Sequence, residues 1–208
     1  MVNNFKQIRG LLRFENLNDY YFIEVLKRRK DNPRLNVNSR FIKAYYIFSF
    51  AEFDAMKDEI LCTCEVAHAR AYIRLNIRNS HATALHTIKR LADMIASNNT
   101  RGSINLYANS SSEQHSDPNV KFLVDIDSHE DLVFSKSVIT ELFVQSIDPK
   151  PGRIISEIST PNGIHLITTP FEINKFRESC PTISVYKDAP TVLYSPVSVT
   201  DSTCEIPI

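Results

Sequence analysis

Lys121-Phe122-Leu123-Val124-Asp125-Ile126-Asp127 alternates along its length: Phe122, Val124 and Ile126 fall on one side of an extended chain, and Leu123, Asp125 and Asp127 on the other. The stretch predicts a strand over 121–127, with one apolar side for a core and two carboxylates together on the opposite side. Toward the C-terminus the pattern predicts a helix over 138–146, strands over 153–159 and 164–169, a helix over 172–178 and a strand over 182–187. Between the two middle strands lies Thr160-Pro161-Asn162-Gly163, where Pro presets φ and Asn and Gly tolerate a positive φ, as a tight hairpin needs. The resulting order is β-α-β-β-α-β.

That order matches the ferredoxin-like or split β-α-β unit, whose first and third strands lie side by side at the centre of the sheet. Toward the N-terminus, the Ser- and Asn-rich stretch Asn98 to Asn119 separates this unit from a second patterned region. There, strands over 20–27 and 40–48 flank a charged turn, and Ser49 with Glu52 forms a capping box ahead of Phe53, Met56 and Ile60 at helical spacing. Residues 69–78 alternate again, with Ala71, Ile73, Leu75 and Ile77 on one side and Arg70, Tyr72, Arg74, Asn76 and Arg78 on the other, which predicts a half-buried strand. Ser80 is placed to cap a helix whose Leu85, Ile88, Leu91, Ala92 and Ile95 form one apolar stripe, leaving His81 and His86 to solvent. The fold expected is α+β: a smaller α/β lobe over 1–118, the β-α-β-β-α-β lobe over 119–196, and a loose tail over 197–208.

With 208 residues, 43% of them apolar, the chain can bury a core. No stretch approaches the ~20 apolar residues that span a bilayer, and residues 1–13 lack the apolar segment of a signal peptide, so a cytoplasmic protein with no membrane partner is expected. Cys62, Cys64, Cys180 and Cys204 are too few and scattered for a disulfide framework or a zinc site and read as reduced thiols. Twenty-four basic and 24 acidic residues leave no net charge, so any anion must be drawn by a local patch.

The chemistry is expected at Asp125, Asp127 and His165. In the predicted topology His165, on the third strand of the unit with Ile164 and Leu166 on the opposite side, stands beside the two aspartates. Two carboxylates a few ångströms apart repel each other and call for a shared proton or a divalent cation. Mg²⁺ or Mn²⁺ suits oxygen donors of this kind, because substrate phosphates can complete the coordination shell. The plainer reading is that the aspartates end a strand beside a turn capped through Ser128, and that His165 is a hydrogen-bonded sheet residue.

These segments resemble the archaeo-eukaryotic primase and primase-polymerase superfamily. Its catalytic unit is an RRM-like β-α-β-β-α-β fold with hhhDhD on the first strand, small-x-His on a later one and an acidic residue on the last. Phe122 to Asp127 is similar to the first motif and Asn162-Gly163-Ile164-His165 to the second. The resemblance covers residues 121–188. It implies nucleotidyl transfer from nucleoside triphosphates, catalytic metal ions on Asp125 and Asp127, and His165 on the triphosphate with Asn162 and Gly163. It also implies single-stranded nucleic acid and a helicase as partners. The last strand departs from the pattern, offering Asp188 as the third acidic residue. A further likeness, to small phage or mobile-element proteins with an Asn-Gly-x-His segment, implies no function.

Arg70, Arg74 and Arg78 with Tyr72 between them form a candidate phosphate-tracking surface with an aromatic platform; the alternative is a solvated strand side. Lys27-Arg28-Arg29-Lys30 can add to the same groove. Two competing functions stay open. One is a non-catalytic nucleic-acid or partner-binding protein on a decayed core. The other is a haloacid-dehalogenase-type phosphatase, which also opens with Asp-x-Asp but needs a doubly wound sheet.

Overall fold

In a computed structural model of the chain, residues 1–113, 115, 117–145 and 152–196 are described. The expected tail over 197–208 lies outside them. In chain order the elements are β1 (Val2–Asn3), α1 (Phe5–Arg9), β2 (Asp19–Arg28), β3 (Ser39–Ile47), α2 (Phe50–Ala67), β4 (Arg70–Arg74), β5 (Arg78–Asn79) and α3 (Ser80–Ala96). A 3₁₀ turn (Arg101–Asn105) and α4 (Leu106–Glu113) follow. The second half holds β6 (Phe122–Ile126), α5 (His129–Gln145), β7 (Ile154–Ser159), β8 (Ile164–Thr168), α6 (Ile173–Ser179), β9 (Ser184–Tyr186) and β10 (Pro190–Ser195). The protein is a mixed α and β structure in which every strand pairing among the described residues is antiparallel. No helix among the described residues is long and apolar enough to cross a membrane.

One sheet has the order β1-β10-β4-β2-β3, with β5 beside β2. Ile23, Val25, Ala71 and Ile73 are buried in one cluster with Phe53, Ile60 and Cys64 of α2 and with Phe5 and Ile8. The capping box forms: Glu52 N–H donates to Ser49 Oγ at 3.1 Å, and Phe48 N–H donates back to Glu52 Oε2 at 2.8 Å. The other sheet has the order β7-β8-β6-β9. Phe122, Val124, Ile126, Leu166 and Val185 pack with Leu132 and Ile139 of α5 and Phe176 of α6. From the opposite side, Leu123, Ile158 and Ile167 join the core of the first sheet, so the aspartate side of β6 is the one turned toward that sheet. Asn4, 6% exposed, ties the two sheets together by donating Nδ2–H to the carbonyls of Ser159 and Val192, both at 2.8 Å.

Several expectations need correction. The boundary at 118/119 does not separate two self-contained lobes, because the chain leaves the second sheet after β9 and β10 enters the first between β1 and β4. Thr191, Val192, Leu193 and Tyr194 are at most 3% exposed, a burial suited to a strand paired on both edges. The strand expected over 69–78 breaks after Arg74. Asn76 turns inward, donating to the carbonyls of Lys121 and Lys187 and accepting from Lys121 N–H.

The polar stretch expected as a separator contains α4, whose Ser110 and Ser111 are fully buried. Small side chains let it pack closely, and Ser111 Oγ accepts from the Tyr20 hydroxyl at 2.8 Å. Asn79, not Ser80, caps α3, its Oδ1 accepting from Ala82 N–H. Helix α5 starts nine residues earlier than the apolar pattern suggested, capped by Ser128 Oγ on Asp131 N–H.

Candidate functional site

Asp125 on β6 lies directly across from His165 on β8 and, on its other edge, from Ser184 on β9. Directly opposed residues of antiparallel strands project to the same side. His165 Nε2 is 3.4 Å from Asp125 Oδ1, an ion-pair separation longer than a good hydrogen bond. Its Nδ1 is 2.9 Å from Thr191 Oγ1 on β10, so the imidazole is gripped from both sheets. The ring is 13% exposed and the Asp125 carboxylate 44%. The His165 imidazole holds the Asp125 carboxyl below its usual pKa against the opposing effect of burial, and Lys30 adds a smaller push in the same direction.

The Thr160–Gly163 turn fits against the end of β6. Thr160 N–H donates to Gly163 O at 2.9 Å, and Gly163 N–H donates to Thr160 Oγ1 at 2.9 Å. Neither Asn162 nor Gly163 has a positive φ, so the expected conformational reason for this pair is wrong. Closeness is the reason: a Cβ on Gly163 would lie 2.1 Å from Ile126 O and 2.9 Å from Asp127 Cα.

Asp125, Asp127, His165 and Asn162 open on one cleft of about 280 Å³ between the sheets. Its facing wall carries Arg28, Lys30, Arg70 and Tyr72. Asp127 is exposed and, among the described residues, has no cationic partner within ion-pair range. Arg28 and Lys30 likewise pair with no carboxylate among the described residues, and Arg28 lies over the Tyr72 ring at 5.9 Å. A second cavity of about 700 Å³, lined by Lys27, Arg34, Arg40 and His68, adjoins the cleft at Arg70, which lines both.

The expected arginine surface is not an open one. Arg70 is 9% exposed and clamps Asp31 with two nitrogens. Arg74 pairs with Glu24 at 3.7 Å and donates to Asp188 O. Arg78 is wholly buried, donating to Ser111 O at 2.9 Å, to Asn76 O and to the Asp188 carboxylate. The anions that these like charges require are therefore side chains of the protein itself, and Arg78 cannot meet a ligand in this arrangement. Asp188, the expected third acidic residue, is occupied by Arg78 and by Asn76 Nδ2 at 3.0 Å, and does not line the cleft. Among the described residues no group of three or more His, Cys, Asp or Glu converges to hold a metal ion.

No local pattern marks Thr191, which reaches His165 from the other sheet. Tyr186 also lines the cleft, paired across from Leu123 on the aspartate side; its parity with Ser184 was the only signal for it. Fold and site together define an antiparallel α+β protein with a carboxylate and imidazole cleft facing a basic wall. In comparisons with known proteins, no family model, no curated protein and no solved structure matches the chain.

Proposed function

We propose that the cleft binds a nucleoside triphosphate with Mg²⁺ or Mn²⁺ and transfers its nucleotidyl group to a single-stranded nucleic acid, as in primase-polymerases. The observation that carries the reading is the convergence of Asp125, Asp127 and His165 on one cleft whose opposite wall is Arg28, Lys30 and Arg70. The order β7-β8-β6-β9 supports it, since it places first beside third strand as in an RRM-like unit.

The donor set fits a hard divalent cation. Asp125 and Asp127 supply carboxylate oxygens on one side of the cleft, and Asp127 lacks any protein cation among the described residues. A bound ion would neutralise charge on the reacting phosphate and help align the attacking hydroxyl. Lys30 and Arg28 would neutralise the outer phosphates. His165, its Nδ1 turned to Thr191, has Nε2 on the Asp125 side and can give that N–H to a phosphate oxygen when a cation takes over the carboxylate. The basic second cavity, which shares Arg70 with the cleft, would take the nucleic-acid strand beyond it.

A non-catalytic binding protein is the second reading, favoured by the engagement of Asp188 with Arg78 in place of a third acidic ligand. A haloacid-dehalogenase-type phosphatase is disfavoured, since both sheets are antiparallel throughout and a doubly wound sheet is mostly parallel.

Calorimetric titration with Mn²⁺, then with a nucleoside triphosphate in its presence, tests the reading. Asp127→Ala should abolish Mn²⁺ binding, and His165→Ala should leave it nearly intact while weakening triphosphate binding at least tenfold. Equal Mn²⁺ affinity in wild type and Asp127→Ala sinks the metal site. Intact binding with no incorporation of nucleotide into a primed or unprimed strand selects the non-catalytic reading.

A further inference from the structure

The second cavity, about 700 Å³ in volume, is walled by cations that the protein does not neutralise. Lys27 on β2 and Arg40 on β3 are direct cross-strand partners, and both line it. Like charges set directly opposite each other on a sheet repel, so this pairing is unfavourable unless an anion lies beside it. Arg34, from the turn joining the two strands, adds a third cation. None of the three has a carboxylate within ion-pair range among the described residues. Asp31 is the one acidic residue on the wall among them, and both its oxygens are taken by Arg70. The chain as a whole carries no net charge, so this excess is local. The wall is also held in place. Asn32 Nδ2 donates to Arg28 O at 3.1 Å and to His68 O at 3.0 Å, tying the turn to the end of α2, and Leu35 N–H donates to Asn32 O at 2.9 Å. Groups fixed before a ligand arrives lose little entropy on binding it.

We propose that this cavity is a metal-independent phosphate site, which holds about three successive phosphates of the single strand that the proposed function calls for and grips its backbone, not its bases. Ammonium and guanidinium groups are donors without acceptors and match phosphate oxygens. Apart from the His68 imidazole, no aromatic ring lines the cavity among the described residues, so the wall offers charge more than stacking. The cleft behaves differently. There Asp125 and Asp127 repel a bare phosphate, so binding waits for a divalent cation, whereas the second cavity has no unpaired carboxylate among the described residues and needs no metal. Arg70 borders both spaces, which sets the held phosphates next to the cleft. The grip therefore involves neither the metal nor the nucleoside triphosphate of the cleft, and it reads no sequence.

Fluorescence anisotropy of a labelled oligothymidylate of about ten nucleotides, with the full chain in EDTA and without nucleoside triphosphate, tests this. Wild type should bind, with log K falling against log salt at a slope of about −2, three phosphates at roughly 0.7 each for a single strand. Arg34→Gln and Arg40→Gln alter exposed side chains and should keep the wild-type melting temperature. Each should weaken binding several-fold and flatten the slope by about 0.7. Oligoadenylate should bind as oligothymidylate does. A methylphosphonate strand of the same sequence, whose backbone is uncharged, should not bind, and inorganic triphosphate should displace the charged strand. A wild type that takes up no Mn²⁺ yet binds the strand in EDTA would remove the metal site of the cleft and support this one. Strand binding that appears only with Mn²⁺ overturns the proposal and spares the cleft. A slope unchanged in both arginine variants, equal binding of the methylphosphonate strand, or triphosphate that binds where the strand does not, also overturns it.

Discussion

Arg78 gives its guanidinium entirely to the protein: Ser111 O, Asn76 O and the Asp188 carboxylate take its donors, and none of its surface reaches solvent. Burial, with a smaller push from the Arg74 charge, lowers its pKa, and Asp188 is the main influence opposing that. Removing one partner of such a pair leaves the other charge desolvated, so Arg78→Ala should cost roughly 3–5 kcal/mol in urea unfolding. An unchanged unfolding midpoint would mean that the pair is not buried as described. Arg74→Glu carries a similar hazard, since it would set a carboxylate beside Glu24, whose own carboxyl burial already pushes above its ordinary value. A loss of nucleic-acid binding in that variant would therefore not identify a binding surface. The alternation that placed these arginines on one side was legible in the sequence. Their anions were not, because Asp188 stands 110 positions from Arg78 and only the fold brings the two together.

At the level of elements, β6 and β8 were readable because alternation is a local property: a two-residue period fixes which side chains share a side, and the register Asp125 to His165 followed once first and third strands paired. The turn joining β7 to β8 was placed correctly but for the wrong reason. Gly163 is needed for contact with β6 and not for its φ, so Gly163→Ala should force the turn off Ile126 and Asp127. We expect a loss of about 1–3 kcal/mol, the usual cost of overpacking, together with weaker triphosphate affinity per folded molecule. A variant that melts like wild type would show that the turn yields without cost. Helix α3 was found by its 3.6-residue period, yet the period cannot say which side faces inward. Here a hydrogen bond between Thr83 and the Tyr20 hydroxyl and another donated by Arg90 to Glu113 hold the polar side in, and no local pattern encodes them.

For the whole molecule, the polar stretch near residue 118 looked like a boundary because composition changes there, whereas the pairing of β10 between β1 and β4 is a contact between the two ends of the described chain. A fragment of residues 1–118 should therefore lack a cooperative thermal transition, missing the strand that fills the gap and the core residues Val192, Leu193 and Tyr194. A sharp transition in that fragment would restore the two-lobe view. The same strand sets a schedule for synthesis. Val2 emerges from the ribosome well before its partner Ser195, with nearly every described residue made between the two. Until then β1 has no mate and one edge of β4 is open, a state in which exposed edges invite pairing with other nascent chains. Thr191 arrives on that same strand, so the grip on His165 and the closing of the first sheet are one event, and a chain released early should lack not just an edge but the cleft itself.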